Sequence, residues 1–399
     1  MHPAKELCCS KSEKLKGKRI VLGVTGSIAA VETVKLAREL IRHGAEVFPA
    51  MSQAAQKIIH PYALEFATGN APVTEIDGKV QHVAFCGDVE DKVDLLLIAP
   101  STANTISKIA YGIDDTIVTT FATTAIGSKI PIMIIPAMHI SMYNHPIVIE
   151  NIERLKKIGI RFVEPKIEEH KAKMPEIQEI IYIVVRIIGK ADLKEKKLLV
   201  IGGSTEEPMD DVRFMTNKSS GRTGVELALN AYERGADTEI WMGHCQVRLP
   251  GFIPVRRFKS VSNLLDMTDD INHDIVLVPA AISDYSVEKQ EGKIPSGKKD
   301  LTLKLKPNPK VIRKVREKSN CFLVGFKAEF DVGKEKLIEK AKIRMNEAGL
   351  DMMIANDLAQ ATQDENHVFI IDKNGTVDEF SGKKGKIAER ILDKVVSLC

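Results

Sequence analysis

Residues 19–52 read RIVLGVTGSIAAVETVKLARELIRHGAEVFPAMS, and this stretch decides the fold class. RIVLGV is the continuous apolar run of a buried parallel strand, and TGS is a tight turn. The apolar residues that follow recur at helical spacing until Gly44, after which EVFPAM reads as a second strand. This order predicts a strand–helix–strand unit of the Rossmann type.

The same order of elements returns in the second half of the chain. Residues 196–243 contain a strand (KKLLVI), a glycine-rich loop, a helix that Gly235 stops, and another strand (TEIWM). The charged connection at residues 186–197 separates the two halves. We therefore expect an α/β fold of two doubly wound Rossmann-like domains with mainly parallel sheets, at residues 1–190 and 191–399.

Composition excludes several classes of function. The 399 residues are 44% hydrophobic and 28% charged, with a net charge of only +3, so no basic footprint indicates nucleic-acid binding. The six cysteines form no CxxC pair, which fits reduced thiols in the cytoplasm. No apolar run approaches the ~20 residues of a membrane-spanning helix. We expect a globular cytoplasmic protein that binds neither nucleic acid nor membrane.

Small hydroxyl residues follow the predicted strands of the first half, at residues 25–27, at Ser52 and at residues 101–104. Ligands of parallel sheets bind beyond the carboxyl ends of the strands, and free N–H groups at helix starts suit a phosphate. The GxGxxG fingerprint of dinucleotide binding is absent. Helix capping is an alternative role for Ser27 or Ser101. Three such clusters on successive strands favour one phosphorylated ligand.

Histidines supply the other candidates of the first half. Residues 134–146 read IIPAMHISMYNHP, which fits a soft-metal site, a catalytic loop or an ordinary strand end with polar residues. His82 precedes a strand and could act as a base, although a lone histidine is more often structural.

A long polar loop at residues 202–224 precedes a helix in the second half. Arg213, Asn217 and the run SSGR offer cation, amide and hydroxyl donors to an oxyanion-bearing substrate. A mobile surface loop is the alternative, and the loop lacks the GxxxxGK[ST] pattern of a Walker motif. Further along, Asp284 suits a ribose, a base or a metal, and Lys293 suits a phosphate.

Taken together, the motifs resemble those of the bifunctional flavoprotein family of coenzyme A biosynthesis, in family order, from about residue 18 to 395. The first half is similar to the decarboxylase of that family in GVTGSIAAVE, the His82 segment, APSTANTISKIAYGIDD and PAMHISMY. The second half is similar to its ligase in STEEPMDDVRFMTNKSSGRTG, AAISDY, KI, GFKAE and IAND.

For the second half, the resemblance implies a phosphopantothenate–cysteine ligase. Such an enzyme condenses 4′-phosphopantothenate with cysteine through an acyl-nucleotide, with Mg²⁺ bound mainly through the phosphates. Bacterial members use CTP, and Lys327 in GFKAE leaves ATP open. The resemblance assigns catalysis to Asn217 and Lys293, and substrate or nucleotide binding to Arg213, Ala280, Ala281, Asp284, Lys293, Phe326 and Arg344.

For the first half, the resemblance implies an FMN-dependent phosphopantothenoylcysteine decarboxylase that yields 4′-phosphopantetheine. The flavin supplies the redox chemistry that an unactivated thiol-bearing carbon lacks. Family members form decarboxylase trimers and ligase dimers, and the two together would give a dodecamer. The resemblance assigns catalysis to His82 and His139, and FMN contacts to Gly26, Ser27, Ile28, Ser52, Ser101, Thr102, Ala103, Asn104 and Met138.

Departures from the family pattern concentrate in the first half. His139 stands where the PAMN motif has its carboxylate-binding Asn, and we expect it to take over that role. Residues 164–180, where the family places a flap cysteine, contain none, so His170, a lysine or Cys86 stays open as the proton donor. These departures also leave open a ligase whose first domain binds FMN without catalysis, or acts as a regulatory module. In the second half, the second lysine pair of the family is replaced by Pro295 and Ser296.

Overall fold

A computed structural model describes residues 2–295 and 301–399, so Ser296 lies outside the described residues. The chain divides into two compact units, Met1–Lys190 and Ala191–Cys399. No helix in the described ranges is long and apolar enough to cross a membrane.

The first unit contains eight strands within the described residues. They are β1 (Arg19–Val24), β2 (Glu46–Met51), β3 (Leu95–Ser101), β4 (Ile132–Pro136), β5 (Met138–His139), β6 (Arg161–Phe162), β7 (Lys166–Glu168) and β8 (Lys171–Lys173). Five of them form a parallel sheet in the order β2-β1-β3-β4-β6. The other three form a small antiparallel sheet in the order β5-β8-β7.

Helices cover both faces of the parallel sheet. They are α1 (Pro3–Glu6), α2 (Thr33–Arg42), α3 (Gln53–Gln56), α4 (Pro61–Thr68), α5 (Gln81–Cys86), α6 (Ala103–Tyr111), α7 (Ile117–Gly127), α8 (Ile140–Tyr143), α9 (Pro146–Lys157) and α10 (Ile177–Ile188), with a 3₁₀ turn at Ile28–Glu32. Leu22 and Leu97 lie in the core on one face of the sheet. Val21 and Leu96, one position away in each strand, lie in the core on the other face. A strand buried on both faces needs the continuous apolar run that the sequence shows.

The second unit is built around a larger sheet. Its strands are β9 (Lys197–Gly202), β10 (Glu206–Pro208), β11 (Phe214–Thr216), β12 (Asp237–Met242), β13 (Val255–Arg257), β14 (Ile275–Val278), β15 (Tyr285–Val287), β16 (Leu305–Pro307), β17 (Phe322–Glu329), β18 (Met352–Asp357), β19 (Glu365–Asp372) and β20 (Val377–Lys383). Eight of them pair in the order β13-β12-β9-β14-β17-β18-β19-β20, while β10–β11 and β15–β16 are separate antiparallel pairs.

The helices of the second unit are α11 (Arg222–Glu233), α12 (Val261–Met267), α13 (Val311–Lys318), α14 (Lys334–Ala348) and α15 (Lys384–Leu398), with 3₁₀ turns at Thr268–Asp270 and Leu358–Gln360. The only tryptophan of the chain, Trp241, is fully buried in β12, and its indole N–H donates to Glu239 at 2.8 Å. It belongs to the core with helices α12, α13 and α14.

The predicted fold class of two mainly parallel α/β units is confirmed, and the second sheet ends in antiparallel strands. β19 and β20 pair antiparallel to their neighbours, and β20 was not predicted. The segment between β18 and β19 has room only for the short 3₁₀ turn, and a parallel return needs a crossover of a dozen or more residues. The alternating burial of β20 shows an edge strand with one solvent-exposed face. Its sequence therefore lacks a continuous apolar run.

Strand order identifies where each sheet can bind a ligand. In the first unit the chain progresses outward from β1 in both directions, to β2 on one side and β3 on the other. In the second unit β9 has the same position between β12 and β14. Ligands of open α/β sheets bind beyond the carboxyl ends of the strands at this reversal of direction. The loops after β1 and β9 are therefore the first places to look.

A buried histidine makes the first unit sensitive to acid. The Nδ1 atom of His43 lies 2.7 Å from the Ser12 hydroxyl, and burial lowers the pKa of His43 to about 4. The unfolded chain binds its proton near the ordinary pKa, so the unfolded state takes up more protons between pH 6.5 and 4, and stability falls as pH falls through that window. We expect a loss of about 2 kcal/mol between pH 7 and pH 5, because one pKa unit corresponds to ~1.4 kcal/mol.

Hydrogen exchange of the slowest amides in β1 and β2 at the two pH values measures this loss. The His43→Gln variant retains a hydrogen-bonding group opposite Ser12 but does not titrate, so its exchange-derived stability should change less over the same window. An equal change in both proteins would contradict the prediction.

Candidate functional site

One buried threonine joins the carboxyl ends of β1 and β3. The Thr25 side chain donates to the carbonyl of Pro100 at 2.9 Å and accepts the N–H of Thr102 at 3.2 Å. These bonds hold the loop after β1 against the loop after β3, at the reversal of strand order. The fold therefore brings together two predicted clusters, residues 26–28 and 101–104.

Two serines at this edge have hydroxyl groups that can bind a ligand. The Ser52 N–H donates to the Val24 carbonyl at 3.0 Å, and its hydroxyl accepts the Ala55 N–H at 3.2 Å but retains its own proton. Ser101 is fully buried, and its Oγ has no hydrogen-bond partner among residues 2–295 and 301–399. An unsatisfied buried hydroxyl costs about 1–3 kcal/mol, so Ser101 fits a site that a ligand completes.

The loop after β1 leaves little room for side chains. A Cβ on Gly26 would lie 2.5 Å from the Cβ of Ala54, so only glycine allows this close approach to α3. Ser27 precedes the 3₁₀ turn but makes no side-chain cap, and Ile28 is 76% exposed at the start of that turn. Capping, the alternative role of Ser27 and Ser101, is therefore not observed for either serine. Thr102, not Ser101, caps α6 by accepting the Thr105 N–H.

The remaining predicted FMN contacts that follow β3, Ala103 and Asn104, lie in the first turn of α6. Ala103 is nearly buried, whereas Asn104 next to it is exposed. Met138, the first residue of β5 and two residues beyond β4, packs half-buried against the core. The backbone N–H of Ala137 donates to the Ser101 carbonyl at 2.9 Å and so ties this end of β4 to β3.

His139 lies exposed beside this edge and caps the short helix α8. Its Nδ1 atom accepts the Ser141 N–H at 3.3 Å and lies 2.9 Å from the Ser141 hydroxyl. Because Nδ1 is an acceptor, the neutral ring carries its hydrogen on Nε2, which is therefore a donor. His145 caps α9 in the same way, with the Ile147 N–H at 3.2 Å. Among the described residues, no group of three or more His, Cys, Asp and Glu could hold a metal ion.

The segment without the flap cysteine is a hairpin that pairs with the strand of His139. β7 and β8 are joined by Glu169 and His170, which both adopt left-handed backbone conformations with φ of 50° and 60°. The Ile140 N–H donates to the His170 carbonyl at 2.9 Å, and Lys171 is the direct partner of His139. Directly paired residues point to the same side of a sheet, so the Lys171 and His139 side chains lie side by side.

The open candidate Cys86 lies elsewhere. It is fully buried in the core, and burial raises the pKa of its thiol to about 12. We interpret Cys86 as a packing residue rather than a proton donor.

His82 is presented by α5, which packs through Phe85 and Cys86 against the core that α7 shares. The residue before this helix, Val80, has a φ of 48°, which costs a β-branched residue about 1–3 kcal/mol. His82 is half-buried, and no hydrogen bond or ion pair within the described residues links it to the cluster at residues 25–28.

Ser204 organises the loop after β9 in the second unit. Its backbone forms isolated bridges with His244 on one side and Ala281 on the other. The Ala281 N–H donates to the Gly203 carbonyl at 2.8 Å, and the Asn217 amide donates to the Ala281 carbonyl at 3.2 Å. The predicted residues Asn217 and Ala281 therefore meet at the reversal of strand order, with Ala280 half-buried beside them.

A buried carboxylate fixes the segment that carries Lys293. The Asp210 side chain accepts N–H groups of Ile294 at 2.9 Å, Val212 at 2.7 Å and Arg213 at 2.6 Å. These hydrogen bonds, the one from Ile294 foremost, lower the pKa of Asp210 to about 2. Arg213 also donates from Nη1 to the Asp210 carboxylate and to the Ile294 carbonyl, both at 3.0 Å. Asp210 thus joins the predicted residue Arg213 to Ile294, which is the neighbour of the predicted residue Lys293.

Asp284 is exposed and forms an ion pair with Lys310. Asn308 donates its side-chain amide to the Ser283 carbonyl at 3.0 Å and its backbone N–H to the Asp284 carbonyl at 2.8 Å. The segment around Asn308 therefore borders the predicted nucleotide residues, although the sequence reasoning missed it. Its signal was KPNPK, a proline-bounded run directly before a helix.

Two predicted residues lie apart from these contacts. Phe326 is half-buried in β17, and Arg344 on α14 donates to Glu347 of the same helix at 3.3 Å. Within the described ranges, neither of them forms a hydrogen bond or ion pair with Asn217. The sequence reasoning also missed His244 and Glu206, whose imidazole Nδ1 and carboxylate Oε1 lie 3.1 Å apart beside Ser204. Only the position of each residue after a strand could have pointed to them.

Comparison with known proteins adds the family. A family model described as Flavoprotein matches residues 9–189, and one described as DNA/pantothenate metabolism flavoprotein C-terminal domain matches residues 193–398. The chain is 48% identical to the coenzyme A biosynthesis bifunctional protein CoaBC of Thermococcus kodakarensis, with 99% of each chain covered. It is 41% identical to that of Methanocaldococcus jannaschii, with 100% of this chain and 98% of the relative covered.

Among solved structures, the DNA/pantothenate metabolism flavoprotein from Streptococcus pneumoniae is 25% identical, with a TM-score of 0.48, and covers 51% of this chain and 100% of its own. The full-length relatives and the two family models agree with the order of the motifs. The chain therefore belongs to the family of bifunctional coenzyme A biosynthesis enzymes, which unite a phosphopantothenoylcysteine decarboxylase and a phosphopantothenate–cysteine ligase.

Proposed function

We propose that the protein converts 4′-phosphopantothenate and cysteine into 4′-phosphopantetheine in two steps. Residues 191–399 carry out the nucleotide-dependent ligation, and residues 1–190 carry out the FMN-dependent decarboxylation. The observation that carries the proposal is that each unit has its own polar site at its own reversal of strand order. Thr25 organises the first of these sites and Ser204 the second.

In the ligase half, the carboxylate of 4′-phosphopantothenate attacks the α-phosphorus of the nucleotide, CTP in preference to ATP, and pyrophosphate leaves. Lys293 offsets the negative charge that accumulates on the phosphates, and Mg²⁺ held mainly by the phosphates would offset more of it. The amide of Asn217, held on the Ala281 carbonyl, contacts the acyl-nucleotide. Asp284, Ala280 and Phe326 border the nucleoside, and Arg344 adds positive charge.

In the decarboxylase half, residues 26–28, Ser52 and residues 101–104 hold FMN, with Met138 as a wall. The unpartnered, buried Ser101 hydroxyl and the tight backbone at Gly26 fit this group. When bound, the flavin supplies the oxidation and reduction that the thiol-bearing carbon requires. His139 donates from Nε2–H to the substrate carboxylate, and His82 takes up the proton that the substrate releases.

Product analysis tests the two steps together. The protein is incubated with 4′-phosphopantothenate, cysteine, Mg²⁺ and either CTP or ATP, and products are followed by mass spectrometry and pyrophosphate release. We expect pyrophosphate, 4′-phosphopantothenoylcysteine and then 4′-phosphopantetheine with CTP. Absence of pyrophosphate with both nucleotides would refute the ligase. If the protein has no flavin absorption band after FMN is added and unbound FMN is removed, the flavin site would be refuted.

A second candidate is a ligase whose first unit binds FMN without catalysis. The observation behind it is the flap hairpin, in which Glu169 and His170 form the turn and no thiol is present. This candidate predicts that 4′-phosphopantothenoylcysteine accumulates and no CO₂ is released. The same incubation therefore distinguishes the two functions.

His139→Ala should slow decarboxylation by about 10- to 100-fold and leave pyrophosphate release unchanged, because a hydrogen bond to a charged group contributes ~1.5–3 kcal/mol. His139→Asn should restore most of the rate, since Asn both caps helices and donates to carboxylates. His145→Ala is the matched control, because it removes an equivalent helix cap from the same stretch. Equal losses in His139→Ala and His145→Ala would reduce His139 to a capping residue.

A further inference from the structure

The ligase step needs a proton acceptor, and this inference rests on the proposed ligase function. The amine of cysteine is a protonated ammonium group at neutral pH, and it must lose a proton before it can attack an acyl carbon. Of the residues assigned so far, Asn217, Lys293 and Arg213 contribute hydrogen-bond donors. The one carboxylate among them, Asp284, borders the nucleoside and is paired with Lys310.

His244 and Glu206 form a pair with the geometry of a base and its orienting carboxylate. Nδ1 of His244 lies 3.1 Å from Oε1 of Glu206, with the two side chains 45% and 25% exposed. Glu206 is fixed in place, because its N–H donates to the Lys259 carbonyl at 2.7 Å and it pairs with Thr216 across the β10–β11 ladder. A carboxylate that accepts Nδ1–H leaves the Nε2 lone pair free to take up a proton.

The pair lies in the same loop cluster as the predicted acyl-nucleotide residues. Ser204 exchanges two backbone hydrogen bonds with His244, at 3.0 and 2.9 Å, and its other side bridges to Ala281. The Thr216 hydroxyl contacts the Ser204 hydroxyl at 3.1 Å, and Asn217, the next residue, donates to Ala281. Histidine, glutamate and asparagine therefore converge on the carboxyl ends of β9 and β14.

Two further charged residues, Arg257 and Lys259, border this loop. Arg257 donates from Nη1 to the Gly243 carbonyl at 3.0 Å and to Sγ of Cys245 at 3.3 Å, so its cation is held by the two residues that flank His244. Lys259 contributes its backbone carbonyl to Glu206. Glu206 is the one carboxylate that contacts the His244 ring within the described residues.

We propose that His244 is the general base of amide formation and that Glu206 is its positioning residue. Nε2 takes one proton from the cysteine ammonium, and the freed nitrogen lone pair forms the bond to the acyl carbon. The acyl carbon–oxygen bond then breaks, and the nucleoside monophosphate leaves with both electrons of that bond. The second ammonium proton passes to solvent as the amide forms, and His244 returns its proton to solvent.

The test separates the two half-reactions in the full-length enzyme with 4′-phosphopantothenate, CTP and Mg²⁺. In His244→Gln, we expect pyrophosphate release without cysteine to stay within about twofold of the wild-type rate. Cysteine-dependent loss of the acyl-nucleotide should fall about 100-fold, the usual contribution of general base catalysis. The deficit should shrink at higher pH, where the cysteine amine is already free.

Hydroxylamine distinguishes loss of the base from a structural defect. A structural defect would slow the reaction with both cysteine and hydroxylamine. Hydroxylamine is largely uncharged at neutral pH and needs no base, so His244→Gln should form the hydroxamate at the wild-type rate. Glu206→Gln should show a smaller loss with cysteine and the same rate with hydroxylamine. His367→Gln is the matched control, since His367 pairs with Glu379 at 2.9 Å on β19 and β20.

Two results would overturn the proposal. One is an unchanged rate with cysteine in His244→Gln. The other is an equal loss with cysteine, with hydroxylamine and in pyrophosphate release, which would make His244 a binding residue. A wild-type enzyme that releases no pyrophosphate would instead overturn the ligase function itself.

Discussion

His82→Asn is expected to reduce decarboxylation of 4′-phosphopantothenoylcysteine by about 10³-fold while FMN binding and ligation remain intact. General acid–base catalysis by a positioned side chain contributes about 10²–10⁴-fold, and asparagine cannot take up the proton. His82 is on α5, whereas the proposed cofactor contacts lie after β1, β2, β3 and β4, so the substitution removes none of them. α5 should keep its place, since Phe85 and Cys86 anchor it in the core.

The measurement is CO₂ release from purified 4′-phosphopantothenoylcysteine, with flavin absorbance as the readout of retained cofactor. His60→Asn is the control, because His60 caps α4 through the Tyr62 N–H and Asn is an equally good cap. Retained decarboxylation in His82→Asn would refute the role of His82. Simultaneous loss of flavin would show that α5 supports binding rather than catalysis.

Lys293→Met is expected to lower pyrophosphate release by about 10²–10³-fold, the usual cost of removing one preorganised donor from a site where negative charge develops. Lys293 is exposed, and within residues 2–295 and 301–399 it has no carboxylate partner. The backbone on both sides of it is held. Gly292 N–H donates to Asp211 at 2.9 Å, and Ile294 N–H donates to Asp210. A cation on a fixed backbone loses little free energy to reorganisation when charge develops nearby.

Stopped-flow or coupled assay of pyrophosphate with saturating CTP measures this effect. Lys306→Met is the control, because Lys306 is an exposed lysine of the same unit that pairs with Glu288 at 3.3 Å. A loss of affinity for CTP with an unchanged turnover rate would contradict a role at the reacting phosphates. Decarboxylation of supplied 4′-phosphopantothenoylcysteine should be unaffected in both variants.

Much of the fold follows from local sequence. Strands β1 and β2 are apolar runs bounded by turn residues, and the predicted runs RIVLGV and EVFPAM have the same bounds as these strands. The antiparallel end of the second sheet could not be predicted in the same way, because strand direction depends on the length of the connection rather than on the residues of β19.

The candidate sites were predictable to the extent that they follow strands. Position after a strand pointed to Ser52, Ser101 and Asn217, and the family resemblance added their roles. Asp210 and Glu206 were missed because their importance depends on which loops meet in space. Asp210 contacts Ile294, 84 positions away in the sequence, and no local pattern indicates that contact.

The position of Trp241 has a spectroscopic consequence. As the only tryptophan, buried in β12 three residues before His244, it makes the tryptophan fluorescence of the whole chain a signal from residues 191–399. Its indole donates to the carboxylate of Glu239, so protonation or loss of that partner should shift the emission. Denaturation followed at tryptophan wavelengths therefore reports on the second unit, and structural changes confined to the first unit need a different chromophore.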